Sequence, residues 1–512
     1  MSDSAGIDQK PSLTHQAGSL LIAKVIGFAL SVATPLVVVR ILLQSDFGLY
    51  KQIALILDTA VPLLTLAFYM NAFYFLARRP AEGPKIVLNI VIVHAAVGCL
   101  AGFILLAFPS VLKSIFGSTN LRPYATAIAI VLCMRIVGYF VEVVATANQD
   151  VGYSMLFIIA AQLTRGIVTV TAALVFRTLQ GLIYAMMLQA AVQCLVLFWY
   201  LHKRFPGFLS QPDWKLMGDQ FRYAVPLGIA VLAYVAQANL HLYVVARRFS
   251  PAEYAIYAVG CVELPLIGLL WESVNTVLIP RISYLQQHDR KRDIVHLLAN
   301  AVRKLGFAYL PISVFLAIAG REFIEVLYTR RYSASWPIFL VNLIVLPLGL
   351  LVVDPVLRAY TDQMKFLLRV RVVSVSVMLA AVWYAVSWFG LRGAIVATVT
   401  VIAAERLVIV QRLSGTIGLT LRDARLFLDS AKILAAALIA GAVAVPVRLA
   451  LLGLKPLLVF GCTGTVFSAV YIAVLFLARI PKAEELDLVR NGLATAIRFL
   501  KRPSPVPTQA AS

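Results

Sequence analysis

Long apolar runs recur along most of this chain. Runs of about 20 residues with few charges return from residue 17 to residue 479, and each is long enough to cross a hydrocarbon core about 30 Å thick as an α-helix. The chain is 61% hydrophobic and only 13% charged, whereas soluble domains are about half apolar and one quarter charged. We therefore expect an all-α polytopic membrane protein.

The basic residues indicate an orientation. The chain has 45 Lys and Arg against 24 Asp and Glu, an excess that is also seen in nucleic-acid-binding proteins. Most basic residues here lie at the ends of the apolar runs, and they are about twice as frequent on the side that holds both termini. We expect cytoplasmic termini and no nucleic-acid partner.

The apolar runs predict fourteen transmembrane helices. Their approximate bounds are 17–39, 51–76, 86–109, 123–147, 152–176, 181–201, 221–245, 254–279, 304–320, 336–357, 367–389, 393–411, 431–450 and 456–478.

The two ends of the chain carry different signals. Residues 1–16 lack a basic segment of the kind that opens a signal peptide, so we expect a cytoplasmic N-terminus and a retained first helix. Residues 483–502 place apolar side chains at helical spacing among basic ones, which predicts an amphipathic helix on the anionic inner leaflet. Residues 503–512 are rich in Pro and Ser and are expected to be disordered.

A short phrase occurs twice. Asp46–Tyr50 (D-F-G-L-Y) and Glu253–Tyr257 (E-Y-A-I-Y) follow equivalent runs at an offset of 207 residues, and Phe116 and Tyr328 match at an offset of 212. An even number of helices per copy gives a parallel repeat. We expect each phrase to be a turn at the outer end of a hairpin, with the acid capping the next helix and the aromatics anchored at the membrane interface.

The repeat predicts a domain organisation of two similar lobes, which is typical of a transporter whose substrate path runs between the lobes. The N-lobe is expected at 17–203 and the C-lobe at 221–415, joined by a cytoplasmic linker at 204–220, with two more helices at 431–479.

Polar and ionisable residues lie inside several predicted spans. Each ionisable group there costs about 2.5–3.5 kcal/mol, and such groups face a cavity or a partner. Several fall at helical spacing, so each stripe lines either a cavity or a helix–helix seam. The expected cationic cavity residues are Lys24, Arg135 and Arg165; the expected polar lining is Ser31, Gln162, Gln237 and His241; the candidates for ion or proton coupling are Asp58, Glu142 and Glu263.

The sequence gives little support for a disulfide, a metal site or a nucleotide-binding site. All five cysteines fall inside apolar runs without a C-x-x-C pair, so neither disulfides nor a metal site is expected. The chain has no G-x-x-x-x-G-K-[ST] motif. We therefore expect no catalytic residue and no cofactor, with transport driven by an ion gradient, the membrane potential or the gradient of the substrate.

Several stretches resemble one known family. They are R-I-L-L-Q-S-D-F-G-L-Y at 40–50, A-R-R-F-S-P-A-E-Y-A-I-Y-A at 246–258, V-L-I-P-R-I-S at 277–283 and R-R-Y-S-A-S-W-P-I-F at 330–339. With the arrangement of six, six and two helices, the chain resembles the polysaccharide-biosynthesis (Wzx-type) flippases. Their superfamily also holds multidrug-and-toxin extrusion antiporters and the lipid II flippase, and the resemblance covers most of 17–415.

The resemblance implies a function. A member would move an undecaprenyl-diphosphate-linked oligosaccharide across the bacterial inner membrane by alternating access, for exopolysaccharide or O-antigen (lipopolysaccharide) biosynthesis. It would not be an enzyme. Its partners would be membrane lipids, a polysaccharide polymerase and a chain-length regulator. Lys24, Arg135 and Arg165 would suit the diphosphate, because cation–phosphate contacts are charge-assisted.

Three alternatives remain open at this stage. An ion-coupled multidrug antiporter would favour carboxylates in the cavity, and a lipid II flippase would have the same fold. A membrane-embedded polysaccharide polymerase belongs to a different class. Such polymerases usually carry a large outer loop, whereas here no predicted outer loop exceeds about 16 residues.

Overall fold

The structure, a computed structural model, describes residues 34–360 and 363–481. Those residues form α-helices joined by short 3₁₀ turns and loops, with no strand among them. The helices are α1 (34–41), α2 (Gln44–Leu64), α3 (Asn71–Arg78), α4 (Gly83–Ala107), α5 (Ser110–Phe116), α6 (Ala125–Gly138), α7 (Phe140–Ala147), α8 (Val151–Phe176), α9 (Leu179–Arg204), α10 (Trp214–Arg248), α11 (Pro251–Gly260), α12 (Pro265–Gln287), α13 (Lys291–Tyr328), α14 (Trp336–Asn342), α15 (Val345–Leu348), α16 (Asp354–Ala359), α17 (Met364–Ile417), α18 (Leu428–Ala450) and α19 (Pro456–Leu477).

The membrane-spanning character is confirmed. Within 34–360 and 363–481, ten helical segments are long and apolar enough to cross a membrane, so the all-α polytopic prediction holds. The number fourteen is not confirmed. The predicted span 254–279 is interrupted at 261–264, between α11 and α12. The predicted spans 367–389 and 393–411 belong to one helix, α17, which bends at Gly390 with φ 58° and ψ −142°, a conformation open to glycine.

Some predictions concern other parts of the chain. The N-terminal segment 1–16, most of the first predicted span, the tail helix 483–502 and the tail 503–512 lie outside the described residues.

The two repeated phrases pack directly against each other. The prediction that each phrase is a turn is wrong, because Asp46–Tyr50 lies within α2 and Glu253–Tyr257 lies within α11. We call 34–204 the first half and 214–417 the second half. Helix α2 of the first half lies on α11 of the second, and a Cβ on Gly48 would lie 1.8 Å from the carbonyl oxygen of Pro251. Only glycine allows this approach, because any side chain would overlap the facing backbone.

The expectation that the aromatics of the two phrases anchor at the membrane interface is wrong. Phe47, Tyr254 and Tyr257 are at most 1% exposed, because they fill the contact between the halves.

The expectation that the acid of each phrase caps a helix holds for one phrase. Ser250 and Glu253 form a reciprocal capping box at the start of α11, whereas α2 shows no side-chain cap bond.

Two arginines cross between the halves at the same end. Arg40 donates through Nη2 to the carbonyl oxygen of Val326 at 2.7 Å and through Nη1 to that of Leu327 at 3.3 Å. In the opposite direction, Arg247 donates to the carbonyl oxygen of Ser114. The two donors are 207 residues apart and the carbonyls of Ser114 and Val326 are 212 apart, the same offsets as in the repeated sequences. We call Arg40 and Arg247 the latch arginines.

The apolar cores show that, apart from the first turns of α10, the halves meet at one end only. One core joins Ile53 and Phe116 of the first half to Tyr254 of the second, and another joins Phe47 to Tyr332. At the opposite end the cores are separate within the described residues: one spans 68–224 and the other spans 278–480. The structure is therefore closed at the end of the latch arginines, which the charge bias predicts to be the outer side.

Helix α10 connects the two halves. Its N-cap, Asp213, accepts a hydrogen bond from the backbone N–H of Leu216, which holds the pKa of Asp213 below its usual value. Gln220 Nε2 donates to the carbonyl oxygen of Ile86 on α4 at 3.2 Å. The first turns of α10 thus pack on the first half, while its later turns pack on α17.

Helix α18 is held to α13 by ion pairs near both of its ends. Arg448 makes a bidentate pair with Glu322, with Nη2–Oε1 at 2.8 Å and Nε–Oε2 at 3.1 Å. Near the other end, Arg303 Nη1 lies 3.1 Å from Asp429 Oδ2. Helix α18, and α19 packed on it, are therefore fixed to the second half.

We predict that Arg448→Ala lowers the free energy of unfolding by about 3 kcal/mol, because it leaves the buried carboxylate of Glu322 without its cation. The matched control is Arg321→Ala, because Arg321 is the residue directly before Glu322 in α13. Arg321 is 57% exposed and pairs with Glu325 within one helix, so its loss should cost under about 1 kcal/mol. Thermal unfolding in detergent measures both, and equal losses would contradict the prediction.

Candidate functional site

An ion pair lies inside the first half. Arg135 Nη2 on α6 is 3.1 Å from Asp58 Oδ1 on α2. The arginine side chain is 16% exposed and the aspartate side chain 64% exposed. Arg135 Nε is also buried without a hydrogen-bond partner in the described part of the chain. A cation therefore lies beneath an accessible carboxylate and keeps one donor unused.

A second cation and a second acid lie close to this pair. Arg165 on α8 is near enough to Arg135 and to Glu142 on α7 to interact electrostatically with both. Among the described residues Arg165 makes no ion pair. Four helices therefore bring two arginines and two carboxylates together, and we call Asp58, Arg135, Glu142 and Arg165 the charged cluster.

Tyr139 and Tyr243 lie close enough to the charged cluster to interact electrostatically with its members. The rings of Tyr69 and Tyr139 are 5.1 Å apart in an edge-to-face arrangement, and Tyr139 is 39% exposed. Next to Asp58, Thr59 shares a hydrogen bond with the hydroxyl of Tyr243 on α10. The cluster thus lies on the side of the first half that meets α10.

The polar stripe on α10 lies at contacts inside the second half. Gln237 donates to Glu405 Oε2 on α17, and Arg371 Nε is 4.0 Å from Glu405 Oε1. His241 Nδ1 lies 2.8 Å from the hydroxyl of Tyr257. These contacts correspond to the alternative of a helix–helix seam for Gln237 and His241.

Glu263 lies where a helix is interrupted. It is exposed in the segment 261–264, just before α12 begins at Pro265. Interrupted helices near the membrane centre are common at the ion sites of transporters, because they leave backbone groups free for a ligand. Glu263 therefore stays a predicted candidate for ion coupling.

Of the other predicted site residues, the structure describes Gln162, whereas Lys24 and Ser31 lie outside the described residues. Gln162 is half-buried on α8, one turn from Gly166, where a Cβ would lie 3.2 Å from Thr34 Oγ1 of α1. In the described part of the chain, no three His, Cys, Asp or Glu residues are grouped as metal ligands.

Sequence reasoning missed two partners. The sequence patterns single out neither Arg371, the partner of Glu405, nor Tyr243, the partner of Thr59. Arg371 and Glu405 lie in neighbouring predicted spans, 367–389 and 393–411, which is a signal that the two could pair. The pairing itself depends on the bend of α17 at Gly390, which hydropathy does not reveal.

We predict that the Asp58–Arg135 pair responds unequally to loss of either partner. Asp58→Asn leaves the more buried Arg135 uncompensated and should cost about 1–3 kcal/mol of unfolding free energy. Arg135→Gln leaves an accessible, hydrated carboxylate and should cost under about 1 kcal/mol. Thermal unfolding of the two variants measures the difference, and the reverse order would refute this account.

Comparisons with solved structures place the fold. The chain superposes on the lipid II flippase MurJ in its inward closed conformation with a TM-score of 0.65 at 14% identity, covering 91% of this chain and 99% of that one. An inward-facing multidrug resistance MATE transporter of the MOP superfamily gives 0.55 at 12% identity, covering 80% and 96%. A MOP superfamily transporter from Pyrococcus furiosus, described as having a binding pocket of reverse polarity, gives 0.55 at 13% identity, covering 79% and 95%.

The sequence comparisons give the family. No curated protein matches the chain. The family model described as "Polysaccharide biosynthesis protein" matches residues 37–337, which is more than half of the chain and includes both repeated phrases, both latch arginines and the charged cluster. The chain therefore belongs to the polysaccharide biosynthesis protein family and has the fold of the MurJ and MATE transporters.

Proposed function

We propose that this protein is a flippase that moves an undecaprenyl-diphosphate-linked oligosaccharide across the bacterial inner membrane. The family match supports a role in polysaccharide biosynthesis, and the fold supports transport. The observation that carries the proposal is the pair of arginines, Arg135 and Arg165, brought together within the first half. Two cations close together inside a membrane protein suit a ligand with more than one negative charge.

The ion pair suggests how binding is coupled to a second event. A diphosphate that binds Arg135 competes with Asp58 for the same guanidinium. The displaced carboxylate of Asp58 loses its cation and becomes a better acceptor for a proton or a metal ion. Substrate binding and ion binding would then favour each other, with Glu142 and Glu263 as further coupling candidates.

The closed end supports alternating access. In this conformation the two halves share cores at the end of the latch arginines and have separate cores at the opposite end. Release on the closed side requires both latch arginines to leave their carbonyls and α2 to separate from α11. Helices α18 and α19 would move with the second half, because ion pairs fix α18 to α13.

The function is tested by deleting the gene in its host and locating the lipid-linked glycan. We expect the glycan to accumulate on the inner face and to return to the outer face when the wild-type gene is restored. Normal export after deletion, with increased sensitivity to toxic cations, would instead favour a multidrug antiporter. Accumulation of the peptidoglycan precursor lipid II would favour a lipid II flippase.

The same assay tests the cationic residues. We predict that Arg135→Gln and Arg165→Gln each reduce export at least tenfold, because a charge-assisted contact to phosphate is worth about 1.5–3 kcal/mol. Lys24→Gln tests the third predicted cation. The control is Arg122→Gln, an exposed arginine outside the charged cluster, which should export normally. Wild-type export by all three variants, Arg135→Gln, Arg165→Gln and Lys24→Gln, at equal expression would contradict the proposal of a cationic site.

We predict that the double variant Arg40→Gln, Arg247→Gln populates a conformation that is open at the latch end. Each lost contact should shift the equilibrium roughly fivefold, since exposed charged hydrogen bonds are worth about 1 kcal/mol. Spin labels at the exposed positions Ser110 and Arg331, in a cysteine-free background, report the distance between the halves.

The matched control for the latch is Arg248→Gln. Arg248 is adjacent to Arg247, but its guanidinium stacks on Trp383 at 3.8 Å and donates to Ser387, both in its own half. It should leave the distance distribution unchanged. A distribution in the double variant equal to that of the wild type would show that the arginines do not hold the halves together.

A further inference from the structure

A groove runs between the two arms of α17, on either side of the bend at Gly390. Its volume is about 710 Å³, and its walls are mainly valines and alanines. The first arm contributes Val373, Val377 and Ala381, and the second contributes Ala397, Ala404 and Val408. The groove lies within one helical hairpin, and no residue of the charged cluster lines it.

The groove is accessible and long. Val373 is 60% exposed and Val377 is 50% exposed, so the described part of the chain leaves this face uncovered. From Phe366 to Ala381 the first arm rises through 15 residues, which is about 22 Å at 1.5 Å per residue. Small side chains at Ala381, Ala397 and Ala404 keep the channel open along this length. Its shape fits a single extended hydrocarbon chain.

One end of the groove is basic. Arg369 lines the groove near the start of α17, and the guanidinium of Arg412 lies 5.5 Å from the ring centroid of Phe366, which also lines it. Both arginines are exposed. They lie near the two ends of α17, Met364 and Ile417, where a membrane-spanning hairpin reaches the headgroup region. Basic residues at this level attract anionic headgroups.

The acid in the groove is already neutralised. Glu405 is 7% exposed, accepts a hydrogen bond from Gln237 and lies 4.0 Å from Arg371. It therefore does not oppose an anion at Arg369. The groove thus combines an apolar channel with a cationic end, which is the complement of an anionic lipid.

We propose that this groove binds an anionic glycerophospholipid of the surrounding leaflet. One acyl chain lies between the arms of α17, and the phosphate lies between Arg369 and Arg412. The lipid fills a space that protein side chains leave empty and holds the two arms of α17 together. This site is separate from the proposed transport site and does not depend on which substrate is moved.

The test measures lipid bound to the full-length protein. The protein is purified in detergent, titrated with phosphatidylglycerol or phosphatidylethanolamine, and examined by native mass spectrometry and thermal unfolding. We expect phosphatidylglycerol to bind and to raise the unfolding temperature, with phosphatidylethanolamine much weaker. Arg369→Gln and Arg412→Gln should each weaken phosphatidylglycerol binding roughly fivefold.

The groove itself is tested with a matched pair of substitutions. Ala404→Trp fills the groove from an exposed position and should abolish binding, whereas Ala380→Trp, on the exposed face beside the groove, should not. Equal binding by both variants would overturn the proposal. So would equal binding of the two lipids, or co-purification of a polyprenyl phosphate that phosphatidylglycerol does not displace. Protection of Ala404→Cys from labelling in lipid-free protein would show instead that a segment of the chain itself covers the groove.

Discussion

The contact between α2 and α11 is the constraint on which the rest of the structure depends. At Gly48 the two backbones approach so closely that a Cβ would lie 1.8 Å from a carbonyl oxygen. This approach brings Phe47 and Tyr257 into shared cores, and it places Arg40 and Arg247 within reach of carbonyls in the opposite half. Each half thus supplies an arginine to the other, as expected for two copies related by a parallel repeat.

The ionisable groups of the two halves have different surroundings. In the first half, Arg135 keeps a buried nitrogen without a partner and its acid is largely exposed. In the second half, Glu405 is buried and hydrogen-bonded, and Arg371 beside it also keeps a buried Nε without a hydrogen-bond partner among the described residues. The halves differ in the acid and in the second cation: Asp58 is 64% exposed, and Arg165 makes no ion pair in the described part of the chain. Ionisable groups are expensive in a membrane interior, so an accessible acid and an additional cation are why we assign binding to the first half.

The repeated phrase shows how far sequence reasoning reached. Its offset relates two helices, α2 and α11, that pack against each other, but hydropathy places each phrase in a turn, whereas both phrases are helical. The surroundings of its aromatics did not follow from the sequence, because an apolar aromatic suits a lipid interface and a protein core equally well. Likewise the sequence marks Arg135 as an unusual cation within a span, but it does not pair Arg135 with Asp58, which lies 77 residues away.

The sequence by itself determined the class of the protein. Runs of apolar residues specify helices that cross a membrane, since length and hydropathy are local properties, and a constant offset between similar phrases specifies a repeat. The tertiary structure decided which charges meet, where helices break and bend, and which end is closed. Those features depend on contacts between distant helices, such as Asp58 with Arg135 and Arg247 with Ser114, and a pairing of this kind is fixed only when packing brings the two surfaces together.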